Sequence, residues 1–304
     1  MEPLILKLFG EVKLIHGADG DIALPRKTQM LLAYLASNSE QHITRDKLAG
    51  LLWADRGEEQ ARHSLRQCLF TLAKSIGDDA GSLINADRHS ISLNPDVVEV
   101  DIWSFERLLA QDTPDAMRQA AAQHVDEFLA GIRFDDESLD TWCAAERTRF
   151  RELCYETLVK LSSHYGDTAR LDDAIDAGRR LVALDPLRED GHRTLMRHYS
   201  RAGRRAEAFK QYRSCQEILR AELNVAPEAA TLDLFLEIKE RSNEGEAASE
   251  TADDPSGQPD GTEAPEQAMP PAAANRKWLI FALGLFLVIV LAAAVLGLNI
   301  GQSN

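Results

Sequence analysis

Cysteine is scarce and scattered. Cys68, Cys143, Cys154 and Cys215 form no CxxC pair, and none of the eight histidines stands at metal-ligand spacing from them. A disulfide framework, a metal site and a cofactor are therefore not expected. Each cysteine has apolar neighbours in a helical pattern, which reads as a buried free thiol of a reducing compartment. Also missing are a glycine-rich phosphate loop, an HExxH helix and a nucleophile elbow. No catalytic residues can be named, and the chain is not expected to be an enzyme. Net positive charge is lacking too: 34 Lys+Arg stand against 49 Asp+Glu, a net of -15. Residues 243–274 hold eight acids and no base, so the total says little about any one surface. The start, Met1-Glu-Pro-Leu-Ile-Leu-Lys-Leu-Phe9, is too short and interrupted an apolar run for a signal peptide.

One long apolar run is present. From Trp278 to Leu298 there are 21 residues without a charge, about 31 Å as a helix, which matches a bilayer's hydrocarbon core. Arg276 and Lys277 precede it and no charge follows, which predicts an N-terminal side in the cytoplasm. Trp278 falls at the level of an interfacial anchor. The expectation for 275–304 is thus a single-pass anchor in a bacterial cytoplasmic membrane, with the lipid bilayer as a partner. Ala293, Gly297 and Gly301 at four-residue spacing suit a homodimer of such helices. Residues 243–274 change to Glu, Asp, Pro, Gly, Ser and Ala, the composition of a disordered tether.

Residues 1–105 read as strands, three helices and a closing hairpin. Leu4–Phe9 and Val12–Ile15 are short apolar runs broken by Gly10 and by 17–20. Pro25 opens a helix with Met30, Leu31, Tyr34 and Leu35 inward, and Thr44 caps a second. The third runs from about 57 to 76. Leu83-Ile84 and Ile91–Leu93 flank turn residues 85–89. On the third helix Ala61, Leu65, Cys68, Leu69, Leu72 and Ile76 share one side at 100° per residue. His63, Arg66, Gln67, Phe70 and Lys74 share the opposite side, with Arg62 on the flank. That division suits a helix in a DNA major groove, where Arg pairs with guanine, Gln with adenine and other basic side chains meet phosphates. Arg88 and His89 at the hairpin tip are placed for minor groove or backbone. A solvated amphipathic helix would show the same division.

Residues 106–242 show no convincing strand but a period of 34: Leu161 and Leu195, Tyr165 and Tyr199, Ala174 and Ala208, Ile175 and Phe209, Leu184 and Ile218. This is the tetratricopeptide period. Asp185-Pro186 ends one repeat, and Gly166 and Gly203 suit the turns between helices. For Arg179, Arg180, Arg188, Arg193, Arg197 and Arg201, pairing with nearby acids within the chain is the favoured reading.

Pro25–Ala36 (PRKTQMLLAYLA), Leu48–Trp53 (LAGLLW) and Ala61–Gln67 (ARHSLRQ) resemble the OmpR-like winged helix of the Streptomyces antibiotic regulatory proteins. The resemblance continues to about residue 240. Phe128–Ile132, Trp142, Glu146-Arg147, Leu184–Glu189, His192–Tyr199, Gln211-Tyr212 and Glu222–Pro227 look like that family's bacterial transcriptional activator domain. Ala54 and Ala73 depart from the pattern, which often has proline and a basic residue there. The resemblance implies a major-groove helix at 57–76, with Arg62, His63, Arg66 and Gln67 inheriting base and phosphate contacts. It also implies a helical platform for RNA polymerase or another regulatory protein.

The expected fold is mainly α with a small β component. A winged helix-turn-helix (1–105) precedes an α-helical, TPR-like repeat domain (106–242), a disordered linker (243–274) and one transmembrane helix (275–304). The expected function is a membrane-anchored transcription activator bound to double-stranded promoter DNA through Arg62, His63, Arg66, Gln67, Lys74, Arg88 and His89. The alternative is a membrane-tethered scaffold whose winged helix no longer binds DNA, which the acidic balance and Ala73 favour.

Overall fold

A computed structural model describes residues 4–250, apart from 18–19, 40, 78–82, 124–125 and 135, with side chains to residue 241. These residues lie within one compact unit, Met1–Ala252. The N-terminal part runs β1 (Leu4–Lys7), β2 (Lys13–His16), β3 (Gly20–Ile22), α1 (Arg26–Ser37), β4 (Ile43–Thr44) and α2 (Arg45–Leu52). It continues with α3 (Glu58–Ile76), β5 (Ile84–Ala86), β6 (Ser90–Leu93) and β7 (Val98–Val100). Seven helices follow: α4 (Asp101–Leu109), α5 (Pro114–Gln123), α6 (Glu137–Asp167), α7 (Leu171–Leu184), α8 (Glu189–Arg201), α9 (Arg205–Glu222) and α10 (Ala229–Glu250).

The first three strands and β7 form one sheet in the order β3-β2-β1-β7. Alternation along β1 buries Leu4 and Leu6 while Lys7 faces solvent. Leu6 lies opposite Leu14 in antiparallel β2 and Val100 in parallel β7. The second sheet, β4-β6-β5, is the hairpin expected at 83–93 joined to the short strand ahead of α2. Thr44 caps α2 as expected, its hydroxyl accepting from the Lys47 N–H at 3.2 Å.

The expected domain boundary at 105/106 falls inside α4. Asp101 explains why that helix belongs to both halves. Its Oδ2 accepts from the N–H groups of Leu8 (2.8 Å) and Phe9 (2.9 Å), and its Oδ1 from Ile102 (2.8 Å). Burial holds its pKa above the ordinary carboxylate value despite these donors. Farther on, Phe128 bridges to Phe9 as an isolated antiparallel pair. Leu129 N–H donates to Leu8 at 2.8 Å, and Gly10 N–H to Glu127 at 2.9 Å. Gly10 sits at φ +91, with Asp126 Oδ2 3.2 Å from where a Cβ would stand, so both backbone and space call for glycine.

The rings of Phe9, Phe105, Phe128 and Phe150 meet behind this bridge. Phe9 lies 5.5 Å from Phe105 and 5.2 Å from Phe150, and Phe128 lies 5.3 Å from Phe150. One hydrophobic core therefore runs from Leu4 to Leu181 across both halves. Residues 1–105 and 106–242, expected as two domains, share it.

Two turns of the helical region repeat each other at the expected spacing. Ala169 and Gly203, 34 residues apart, both turn left-handed (φ +58 and +72) between antiparallel helices. The next residues, Arg170 and Arg204, donate their N–H groups to Tyr165 (2.9 Å) and Tyr199 (2.8 Å). Their guanidiniums lie 4.5 and 5.2 Å from the same two rings, a cation–π contact in each repeat. Gly166 does not hold the turn expected of it. It lies in the last turn of α6, where a Cβ would stand 3.0 Å from the side chains of Arg201 and His198. The second structural difference is at the end: α10 continues to Glu250, into the stretch expected as linker from Asn243.

Among the described residues no helix is long and apolar enough to cross a membrane. The span expected at 278–298, its flank at Arg276, Lys277 and Trp278, and the small-residue spacing at 293–301 lie outside the described residues. All four cysteines are buried free thiols.

Candidate nucleic-acid interface

Two helices and a hairpin make the candidate surface. α3 begins at the N-cap Gly57 and carries Glu58 and Glu59 in its first turn, favourable for the helix dipole. Its back is held as the periodicity predicts: Ala61, Leu65, Cys68, Leu72 and Ile76 are buried and Leu69 half-buried. His63, Arg66, Gln67 and Lys74 are exposed on its front. Phe70, on the same front, is 64% exposed, a large ring left in solvent with no core to join.

One carboxylate ties the hairpin tip together. The Asp87 carboxylate accepts from the N–H groups of His89 and Ser90, both at 2.6 Å, and from the Ser90 hydroxyl at 2.9 Å. Those bonds lower its pKa to about 2. Arg88 and His89 are thereby presented outward on a tight turn, both exposed.

The first two residues of α2 connect tip and helix. Arg45 N–H donates to the His89 carbonyl at 2.9 Å, and Arg45 Nε to the Asp87 carbonyl at 2.9 Å. Asp46, the next residue, accepts from Arg62 Nε at 2.7 Å. One helical turn thus touches the hairpin tip with one side chain and the start of α3 with the next. The expected site residues fall on two elements anchored to a single support.

Arg62 stands apart from the others. Its guanidinium is bonded to Asp46 and lies 3.8 Å from Glu58. These contacts, the Asp46 hydrogen bond foremost, raise its pKa above the ordinary value. Arg62 is therefore a brace between α2 and α3 before it is a contact residue. Arg45, Lys47, Arg56 and Lys27, which no pattern in the sequence singles out, add cations near α2 and α3. Arg56 donates to Ser64 at 2.8 Å and Lys27 to the Leu52 carbonyl at 2.7 Å. They line, with His63 and Gln67, a groove of about 320 Å³ along α3. Arg56 lies in a turn, outside any periodic pattern, so helical periodicity could not have found it.

In the helical half, most of the arginines are engaged within the chain. Arg188 meets Glu152 (2.8 Å) and Arg193 meets Glu228 (3.1 Å). Arg201 donates to Gly166 O (2.7 Å), Arg179 to the Tyr199 hydroxyl (3.1 Å) and Arg180 to Ala121 O. Arg197 alone of the six is exposed without a partner among the described residues. Among those residues no cluster of His, Cys, Asp and Glu suits a metal.

Residues 100–239 match the family model of the bacterial transcriptional activator domain. This region is of a kind found in regulators and not in enzymes. The activator domain begins at α4, where the Asp101 bonds join it to the N-terminal sheet. The fold is similar to that of Mycobacterium tuberculosis EmbR, solved in complex with a low affinity phosphopeptide. The TM-score is 0.59 at 18% identity, with 83% of this chain and 71% of that chain covered. At that identity the likeness concerns the fold alone. No curated protein sequence matches the chain.

Proposed function

We propose that the chain is a transcription activator that reads double-stranded promoter DNA with the front of α3, while its activator domain contacts RNA polymerase or another regulatory protein. The observation that carries the reading is the exposed set His63, Arg66, Gln67 and Lys74, beside Arg88 and His89 on the one support at Arg45-Asp46. In the major groove Arg66 can donate twice to guanine, while Gln67 can donate to adenine N7 and accept from its amino group. Lys74, Arg45 and Arg56 supply phosphate contacts, and Arg62 orients α3 through Asp46. Phe70 is placed for apolar contact with thymine methyl groups or sugars.

The apolar run 278–298, with Arg276, Lys277 and Trp278 before it, supports attachment to a bacterial cytoplasmic membrane with the DNA-reading part inside the cell. The regulator would then search DNA near the membrane surface. A gel shift of the full-length chain on genomic fragments, at two salt concentrations, tests the DNA reading. Affinity should fall by about 0.9 log units per tenfold salt for each phosphate neutralised. A chain that ignores DNA even at low salt would instead be a tethered scaffold.

A further inference from the structure

A cavity lies in the activator domain, beside the bridge that joins it to the N-terminal sheet. Residues 126–128, α6 and α7 enclose a cavity of about 590 Å³. That is within the range of small-molecule pockets, roughly 300–1,000 Å³. Its floor is apolar: Phe128, Cys154, Leu158 and Leu184. Around that floor stand Arg147, Arg151 and Arg180, against Asp126 and Glu127. A chain with a net charge of -15 has here a concave surface with more cations than anions.

The three guanidiniums are not equally occupied. Arg147 is held by the carbonyls of Phe128 (2.9 Å) and Leu129 (2.8 Å), and Arg180 by that of Ala121. Among the described residues, half-exposed Arg151 meets only the Glu127 carboxylate, at 3.6 Å. Glu127 is itself shared, lying 3.6 Å from Arg147 as well. Both distances exceed a hydrogen bond, so one carboxylate spans two guanidiniums without satisfying either. An arginine has five N–H donors in a fork that fits a carboxylate bidentately. Arg151, which lines the cavity, therefore keeps most of its donors uncommitted.

We propose that this cavity binds a small organic anion, a carboxylate with an apolar or aromatic body. Arg151 takes the carboxylate and the floor at Phe128, Leu158 and Leu184 takes the body. Arg147 adds its remaining donors, and Glu127 is the internal competitor that the ligand displaces. The wall that would feel the exchange is the segment 127–130, bonded to Gly10 and Leu8 of the N-terminal half. Binding is thus placed at the joint between the two halves, to which Glu127 and Phe128 themselves belong. The proposal does not depend on DNA binding.

Calorimetry on the full-length chain in phospholipid nanodiscs, with empty nanodiscs as blank, tests it. The probes are 1-naphthylacetate and its neutral twin 1-naphthylacetamide, which share one body and differ in charge. The acid should bind about tenfold or more tighter than the amide, as a charge-assisted pair requires. Arg151→Gln should remove that preference and leave amide binding unchanged. Glu127→Gln, which silences the competitor, should tighten the acid several-fold. Three results would each overturn the proposal: equal binding of acid and amide, an acid affinity indifferent to Arg151→Gln, or no heat above blank in both wild type and Glu127→Gln. Because Arg151 and Glu127 are surface side chains, unchanged thermal unfolding of both variants would separate loss of binding from loss of fold.

Discussion

Replacing Asp101 by alanine should destabilise the whole described unit, not one half of it. The carboxylate accepts three backbone N–H groups, from Leu8, Phe9 and Ile102, at 2.8–2.9 Å. Those residues are 0%, 9% and 1% exposed, so water has poor access to the donors once the acceptor is gone. A buried N–H left without a partner costs about 1–3 kcal/mol. Three of them, partly relieved by relaxation, give about 3–5 kcal/mol. Asp101→Asn keeps one acceptor oxygen but turns an NH2 toward donors, and should cost about half as much. Against a typical total of about 5–15 kcal/mol, Asp101→Ala is close to unfolding at body temperature. Urea titration followed by far-UV circular dichroism and by tryptophan fluorescence is the assay. Trp53 and Trp103 lie in or beside the N-terminal half and Trp142 in α6, so the fluorescence samples both. The two probes should move together to lower urea. A loss under 1 kcal/mol, or a variant in which the two probes separate, would refute a carboxylate that joins the halves through a shared core.

Other consequences follow from the same contacts. Gly203→Ala should lose about 1 kcal/mol, while Ala169→Gly, at the equivalent left-handed turn, should be neutral or gain a few tenths; thermal unfolding of both shows whether the repeats share one backbone requirement. His198 is buried against the Ser162 hydroxyl at 2.8 Å, and burial, with Arg201 and Arg197 adding to it, lowers its pKa. The unfolded imidazole takes a proton first as pH falls, so this contribution is present above about pH 6.5 and is lost below it. Stability measured from about pH 7.5 to 5.5 should fall less steeply in His198→Gln than in wild type. Arg62→Ala should weaken DNA binding through loosening of α3, and Asp46→Ala should reproduce that loss. Arg66→Ala should have no such partner variant.

The sequence made the α3 faces legible because helical periodicity is a local signal, and burial follows it from Ala61 to Ile76. The 34-residue repeat was readable for the same reason, since Tyr165/Tyr199 and Ala174/Ala208 face the core at each recurrence. What escaped was non-local. Val98–Val100 is too short to announce a strand, and its parallel pairing with Leu4–Leu6 closes over most of the N-terminal half. The joint of Asp101, Phe9 and Phe128 draws on residues far apart in the chain, so the boundary at 105/106 fell within a helix. Gly166 looked like a turn residue, yet its role is to admit Arg201 and His198. The brace between Arg62 and Asp46 links two helices, and no pattern along either one reveals it. The apolar run after Trp278 is plain in the sequence and lies outside the described residues.

The central claim is that base pairs meet the front of α3. Nuclease footprinting of the full-length chain on its highest-affinity genomic fragment tests this, with wild type beside Arg66→Ala, Gln67→Ala and Lys74→Ala. Wild type should protect a defined site. Arg66→Ala and Gln67→Ala should each lose about 1–3 kcal/mol of preference for it, and Lys74→Ala should weaken all sequences alike. Protection by the double variant Arg66→Ala/Gln67→Ala at the same bases and concentrations as wild type would contradict the account.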